Sequence, residues 1–78
     1  MNRYLATIEV DPVEGKKNEN DMFVIYIDQL ITAKYGAVEF HVSAENLGDA
    51  FRKAYEKVSP TQGIKSLSVK LNSTWPPQ

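Results

Sequence analysis

Cysteine is absent from the 78 residues, so no disulfide, thiolate metal centre or cysteine nucleophile can be built. Histidine occurs once, at His41, too few for a histidine-rich metal site. No apolar run approaches the ~20 residues of a bilayer-spanning helix; the most hydrophobic stretch, MFVIYI, covers only Met22 to Ile27. The first residues, MNRYLATIEV, alternate polar with apolar and have no signal-peptide core, so a cytoplasmic location is expected. The sequon at Asn72-Ser73-Thr74 is then read as chance. There is no glycine-rich phosphate loop, no zinc spacing and no nucleophile–base pair. An enzyme is therefore not expected, nor a cofactor or metal. Strong net charge is missing too: the balance is -1 and the isoelectric point about 5.7, whereas a dedicated nucleic-acid binder is usually basic.

What is present suits one small folded domain, residues 1–72, followed by a proline-rich tail, 73–78. The chain is organised around a strand–helix–strand unit from Val38 to Leu71. Val38, Phe40 and Val42 alternate with Glu39, His41 and Ser43, the period of a half-buried strand. The period then changes. Leu47, Ala50, Phe51, Ala54 and Val58 form one helical stripe, with Asn46 as N-cap and Asp49 as its capping-box-like partner. On this reading Phe51 is core, and Phe51→Ala costs about 3–5 kcal/mol. Ser59-Pro60 stops the helix and Thr61-Gln62-Gly63 turns the chain. Leu67, Val69 and Leu71 then alternate with Ser66, Ser68 and Lys70 in a second strand.

Upstream, Tyr4, Ala6, Ile8 and Val10 mark the inward side of a first strand, which Asp11-Pro12 ends. Residues 11–21, DPVEGKKNEND, read as a mobile loop. Its four acids lack calcium-loop spacing and are mixed with Lys16 and Lys17. Met22–Ile27 is apolar on both faces and rich in β-branched and aromatic residues, which favours a strand. A bulge near Asp28 would carry that strand on to Lys34, with a turn at Tyr35-Gly36. The competing reading is a helix over Met22–Tyr35 with Phe23, Ile27, Leu30 and Ile31 on one face. The expected architecture is α+β, a mostly antiparallel sheet of about four strands with one helix on one face, in the order β-β-β-α-β. The opposite face would carry Leu5, Thr7, Glu9, Glu39, His41, Ser66, Ser68 and Lys70 and would meet water.

Charge is unevenly distributed. Residues 1–49 hold nine acidic and four basic residues, and residues 50–78 one acidic and five basic. Part of this matches the helix dipole, with Glu45 and Asp49 early and Arg52, Lys53 and Lys57 later. Lys65 and Lys70 extend the basic side. With the aromatics Tyr35, Tyr55 and Trp75, these five cations are the candidate partner-binding residues, since aromatic and arginine anchors dominate protein interfaces. Trp75 either folds back on an apolar patch or stays free for a partner.

The run FHVSAENLGDAFRKAYEKV followed by GIKSLSVKL resembles small phage-encoded β-α-β host-inhibitor proteins. The likeness is to the bacterial RNA polymerase inhibitor type and, more loosely, to the anti-CRISPR type. It rests on Glu39, Ala44, Glu45, Leu47, Ala50, Ala54 and the pair Ala6-Thr7; residues 11–36 have no counterpart. The resemblance implies a phage or mobile-element protein, working in the host cytoplasm, that binds a host protein or ribonucleoprotein complex and blocks it by occlusion. Two alternatives stand beside it: a small nucleic-acid-binding accessory protein using the basic patch, and a structural homodimer through the two-sided Met22–Ile27 strand. No membrane partner is expected.

Overall fold

The computed structural model describes residues 1–73. Its elements are β1 (Asn2–Val10), β2 (Phe23–Ile27), β3 (Gln29–Ala33), β4 (Ala37–Ala44), α1 (Leu47–Val58) and β5 (Ile64–Ser73). The fold is α+β, and every strand pair is antiparallel.

β1 is the middle strand of a three-stranded sheet, order β4-β1-β5. Tyr4, Ala6, Ile8 and Val10 are all buried, as the alternation predicts. Tyr4 lies between Val42 and Leu71, Ala6 between Phe40 and Val69, and Ile8 between Val38 and Leu67. The opposite face runs His41–Leu5–Lys70 and Glu39–Thr7–Ser68, and all of these but Leu5 and Thr7 are exposed. That is the water-facing side expected from the sequence. Register shifts leave Lys65 and Asn72 as extra residues on β5, so its regular ladder runs only from Ser66 to Leu71.

The apolar face is covered by two elements. α1 lays Ala50, Ala54 and Val58 on the sheet, over Tyr4, Ala6, Val42 and Ala44. Two alanines on this stripe let the helix axis come close. Asn46 caps the helix, its Oδ1 accepting the Asp49 N–H at 2.9 Å, and the last helical residue is Val58, before Ser59-Pro60. The other half of the face is covered by a hairpin. Phe23 and Ile25 of β2 join Ile8, Val10 and Val58 in one core cluster.

That hairpin corrects one expectation. Met22–Lys34 is not a single bulged strand: the chain reverses at Asp28, and Ile27 pairs with Gln29. Asp28 takes φ 64°, a left-handed conformation that aspartate tolerates better than most side chains. The helix end holds it there. The Asp28 N–H donates to the Lys57 carbonyl at 3.1 Å, and its carboxylate pairs with the Lys57 ammonium. The apolar Phe23, Val24 and Ile25 are all buried within the chain. The outer edge of β2 is occupied as well, with Val24 N–H on Lys16 O at 2.9 Å and Tyr26 N–H on the Thr61 hydroxyl at 2.9 Å.

A second correction concerns the helix. Leu47 and Phe51 are not core: they remain 54% and 45% exposed. The buried stripe is centred on Ala50 and Ala54, and one step around the helix Phe51 already lies beyond the sheet it was expected to cover.

The 11–21 loop is held by side-chain bonds. The Asp11 carboxylate accepts the Val13 and Glu14 N–H groups at 2.7 and 3.0 Å, and these bonds, Glu14's foremost, keep it below the ordinary aspartate range. Gly63 (φ 74°) presses against this loop, where an added Cβ would stand 2.6 Å from Glu14 and Gly15 backbone atoms. The loop and the start of β5 are thereby locked together, with Asp11 N–H on Gly63 O at 2.8 Å.

Candidate functional site

The eight candidate contact residues fall into separate places. Arg52 is engaged within the helix, to Asp49 at 2.7 Å and Glu56 at 3.1 Å. These partners raise the guanidinium above its ordinary value, Asp49 contributing most, and the guanidinium in return holds the Asp49 carboxylate below its own. Lys53 donates to the Ser43 carbonyl on the free edge of β4 at 3.1 Å and sits 3.4 Å from Asp49. Lys57 is bound to Asp28. This side of the helix forms, with β4, a cavity of about 330 Å³ lined by Asp28, His41, Lys53, Glu56 and Lys57. The basic helix end is thus largely neutralised by carboxylates of the same chain.

Tyr55 is on the other side of the helix, 53% exposed, in line with Leu47 and Phe51 at four-residue spacing. Lys70 stands on the outer sheet face beside Leu5. Trp75 lies outside the described residues.

Tyr35 and Lys65 are brought together. They line a cleft of about 450 Å³ at the end of the sheet where β1 ends and β4 and β5 begin, with Lys17, Lys34, Glu9 and Phe23. Three elements converge to build it: the 11–21 loop, the β3–β4 connection and the bulge at Lys65. Tyr35 is 71% exposed, and the Lys34 ammonium lies over its ring at 5.6 Å. Lys17 lies over Phe23 at 4.7 Å, with Asp21 at 3.7 Å. Glu9, the lining carboxylate, accepts the Ser66 hydroxyl at 3.1 Å. Lys34 and Lys65 make no ion pair among the described residues. The cleft is cationic and aromatic, suited to a carboxylate- or phosphate-bearing surface with a flat group to stack. Sequence reading missed Lys17 and Lys34. They are far from Lys65 along the chain, and only the hairpin packing gathers them.

Comparison with protein-family models, curated proteins and solved structures finds no match to this chain. Among the described residues, no helix is long and apolar enough to cross a membrane, and no group of three or more histidine or acidic side chains is placed to hold a metal ion.

Proposed function

We propose that this protein works by binding a macromolecular partner and occluding it, with no chemistry of its own. Its support is the cleft holding Tyr35, Lys34, Lys65 and Lys17, where exposed cations and an exposed ring converge at one end of the three-stranded sheet. Such a site matches the acidic rim of a protein surface, with the ring as anchor. The resemblance to phage host-inhibitor proteins supplies the finer reading, that the partner is a host machine of the RNA polymerase or anti-CRISPR-target type.

A second reading, nucleic acid, is favoured by the pairing of Lys34 with the Tyr35 ring, since a cationic groove with a stacking platform holds single strands. Affinity capture on the tagged protein from bacterial lysate, with and without nuclease, separates the two. One stoichiometric protein surviving nuclease, and lost from the Lys34→Glu/Lys65→Glu variant, is the expected result. Recovery that collapses with nuclease and falls steeply with salt replaces it by the nucleic-acid reading. Capture unchanged in the double variant removes the cleft from either function.

A further inference from the structure

A second exposed feature lies on the helix side of the sheet, next to β5, the strand whose start lends Lys65 to that cleft. Along the side of α1 opposite Lys53 and its β4 contact run Leu47, Phe51 and Tyr55, each about half exposed, which sets this side toward β5 in the order β4-β1-β5. β5 is the edge strand there, and its inward row ends in Leu71, 51% exposed. Four side chains, each leaving about half of a surface of roughly 200 Å² in water, make an apolar area of about 400 Å², the scale at which monomer patches are commonly functional. Among the described residues, the outer edge of β5 from Ser66 to Leu71 has no hydrogen-bond partner; the outer edge of β4 has the one bond from Lys53 at Ser43.

We propose that a second copy of this chain covers this face, the two β5 strands pairing antiparallel about a two-fold axis at Ser68 into a six-stranded sheet. Three features favour a second copy as the occupant. First, the register keeps faces matched: Leu67 of one copy opposes Val69 of the other on the helix side, and Ser68 opposes Ser68 on the polar side. All of this lies in the regular stretch between the bulges at Lys65 and Asn72. Second, the charges are complementary. Lys70 meets Ser66 of the other copy, whose hydroxyl is already bonded to Glu9, so each lysine reaches a carboxylate and no like charges are opposed. Third, the spacing fits. The two β1 strands, each beneath its helix, would lie three strand spacings apart, about 14 Å. Helices pack directly at about 8–10 Å, so the gap requires large side chains from both sides, and Phe51 and Tyr55 supply them. Two such patches plus the paired backbone reach the lower end of stable interfaces, about 1,200 Å² in total.

The test is sedimentation equilibrium of the full chain from micromolar to millimolar concentration. The expected result is reversible association to twice the 8.8 kDa chain mass. Phe51→Glu and, separately, Leu71→Lys, which sets a cation against Lys65 of the other copy, should each raise the dissociation constant at least about tenfold, with the circular dichroism spectrum retained. Leu30→Glu, at an exposed residue of β3, should leave it unchanged. Either interface variant suffices if the other fails to fold. A monomer throughout overturns the proposal; blue-shifted emission from Trp75, the only tryptophan, would then name the chain's own tail as the cover. A dimer indifferent to both substitutions overturns it as well, by placing the contact elsewhere.

Discussion

The two flanks of α1 use opposite chemistry for opposite ends. On the flank toward β4, Lys53 and Lys57 reach down to Ser43 and Asp28 and bind the helix to the sheet edge and to the hairpin. On the flank toward β5, Leu47, Phe51 and Tyr55 are left half in water. The charged side is fastening and the apolar side is surface, the reverse of what residue type alone suggests. The difference comes from what lies beside each flank. On the β4 side the β2–β3 turn supplies the Asp28 carboxylate and β4 itself the Ser43 carbonyl, while β5 is the last strand of its sheet and, among the described residues, has no strand beyond it.

That contrast can be broken most severely from below. Ile25 is fully buried in the core that carries the hairpin, so Ile25→Ala should destabilise by about 2–5 kcal/mol in chemical denaturation. A loss under about 1 kcal/mol would mean that the hairpin is not the platform described. Between the flanks, Ala54→Leu forces a larger side chain into a fully buried contact and should cost about 1–3 kcal/mol. Phe51→Ala reads the flank toward β5: with about half of its side chain still covered it should cost the monomer about 1–2 kcal/mol, well below the roughly 3–5 kcal/mol of a core phenylalanine. Removing the cap by Asn46→Ala should cost about 1 kcal/mol, read from the same denaturation curves.

The smallest effect is electrostatic. Asp49 is held below its ordinary value chiefly by Arg52, so its stabilising contribution is present above the ordinary aspartate range and is lost as pH falls through the lowered folded-state value. Asp49→Asn should flatten the acid limb of the stability curve, and added salt should do so in part, because the group is at the surface. An unchanged acid limb in the variant would show that these helix ion pairs are idle.

Much of the fold could be read from the sequence because it rests on local periodicity. The Tyr4–Val10 side of β1, the alternation of β4 and β5, and the helix limits at Asn46 and Ser59-Pro60 all follow from spacing and caps that act over a few residues. Two features could not. The reversal at Asp28 depends on a lysine and a carbonyl from the helix end, distant in sequence, and a bulge satisfies the same local pattern. The exposure of Phe51 depends on the sheet being only three strands wide, so that its outermost strand runs out beneath that flank. The candidate site divides the same way. Tyr35 and Lys65 were legible as exposed types, but their meeting with Lys17 and Lys34 is a product of the hairpin and the Gly63 contact. Arg52, Lys53 and Lys57 looked like a free patch because their carboxylate partners belong in part to another element.

One flank of α1 is fastening and the other, under the proposed pairing, is an interface. Backbone amide NMR spectra over a dilution series of the full chain read both flanks at once. Concentration-dependent shifts are expected only at Ser66–Asn72 and at Leu47, Phe51 and Tyr55, with the amides of Ser43, Lys53 and Lys57 unmoved. Spectra identical at every dilution, or shifts that gather on β4 and the lysine flank, would contradict the pairing.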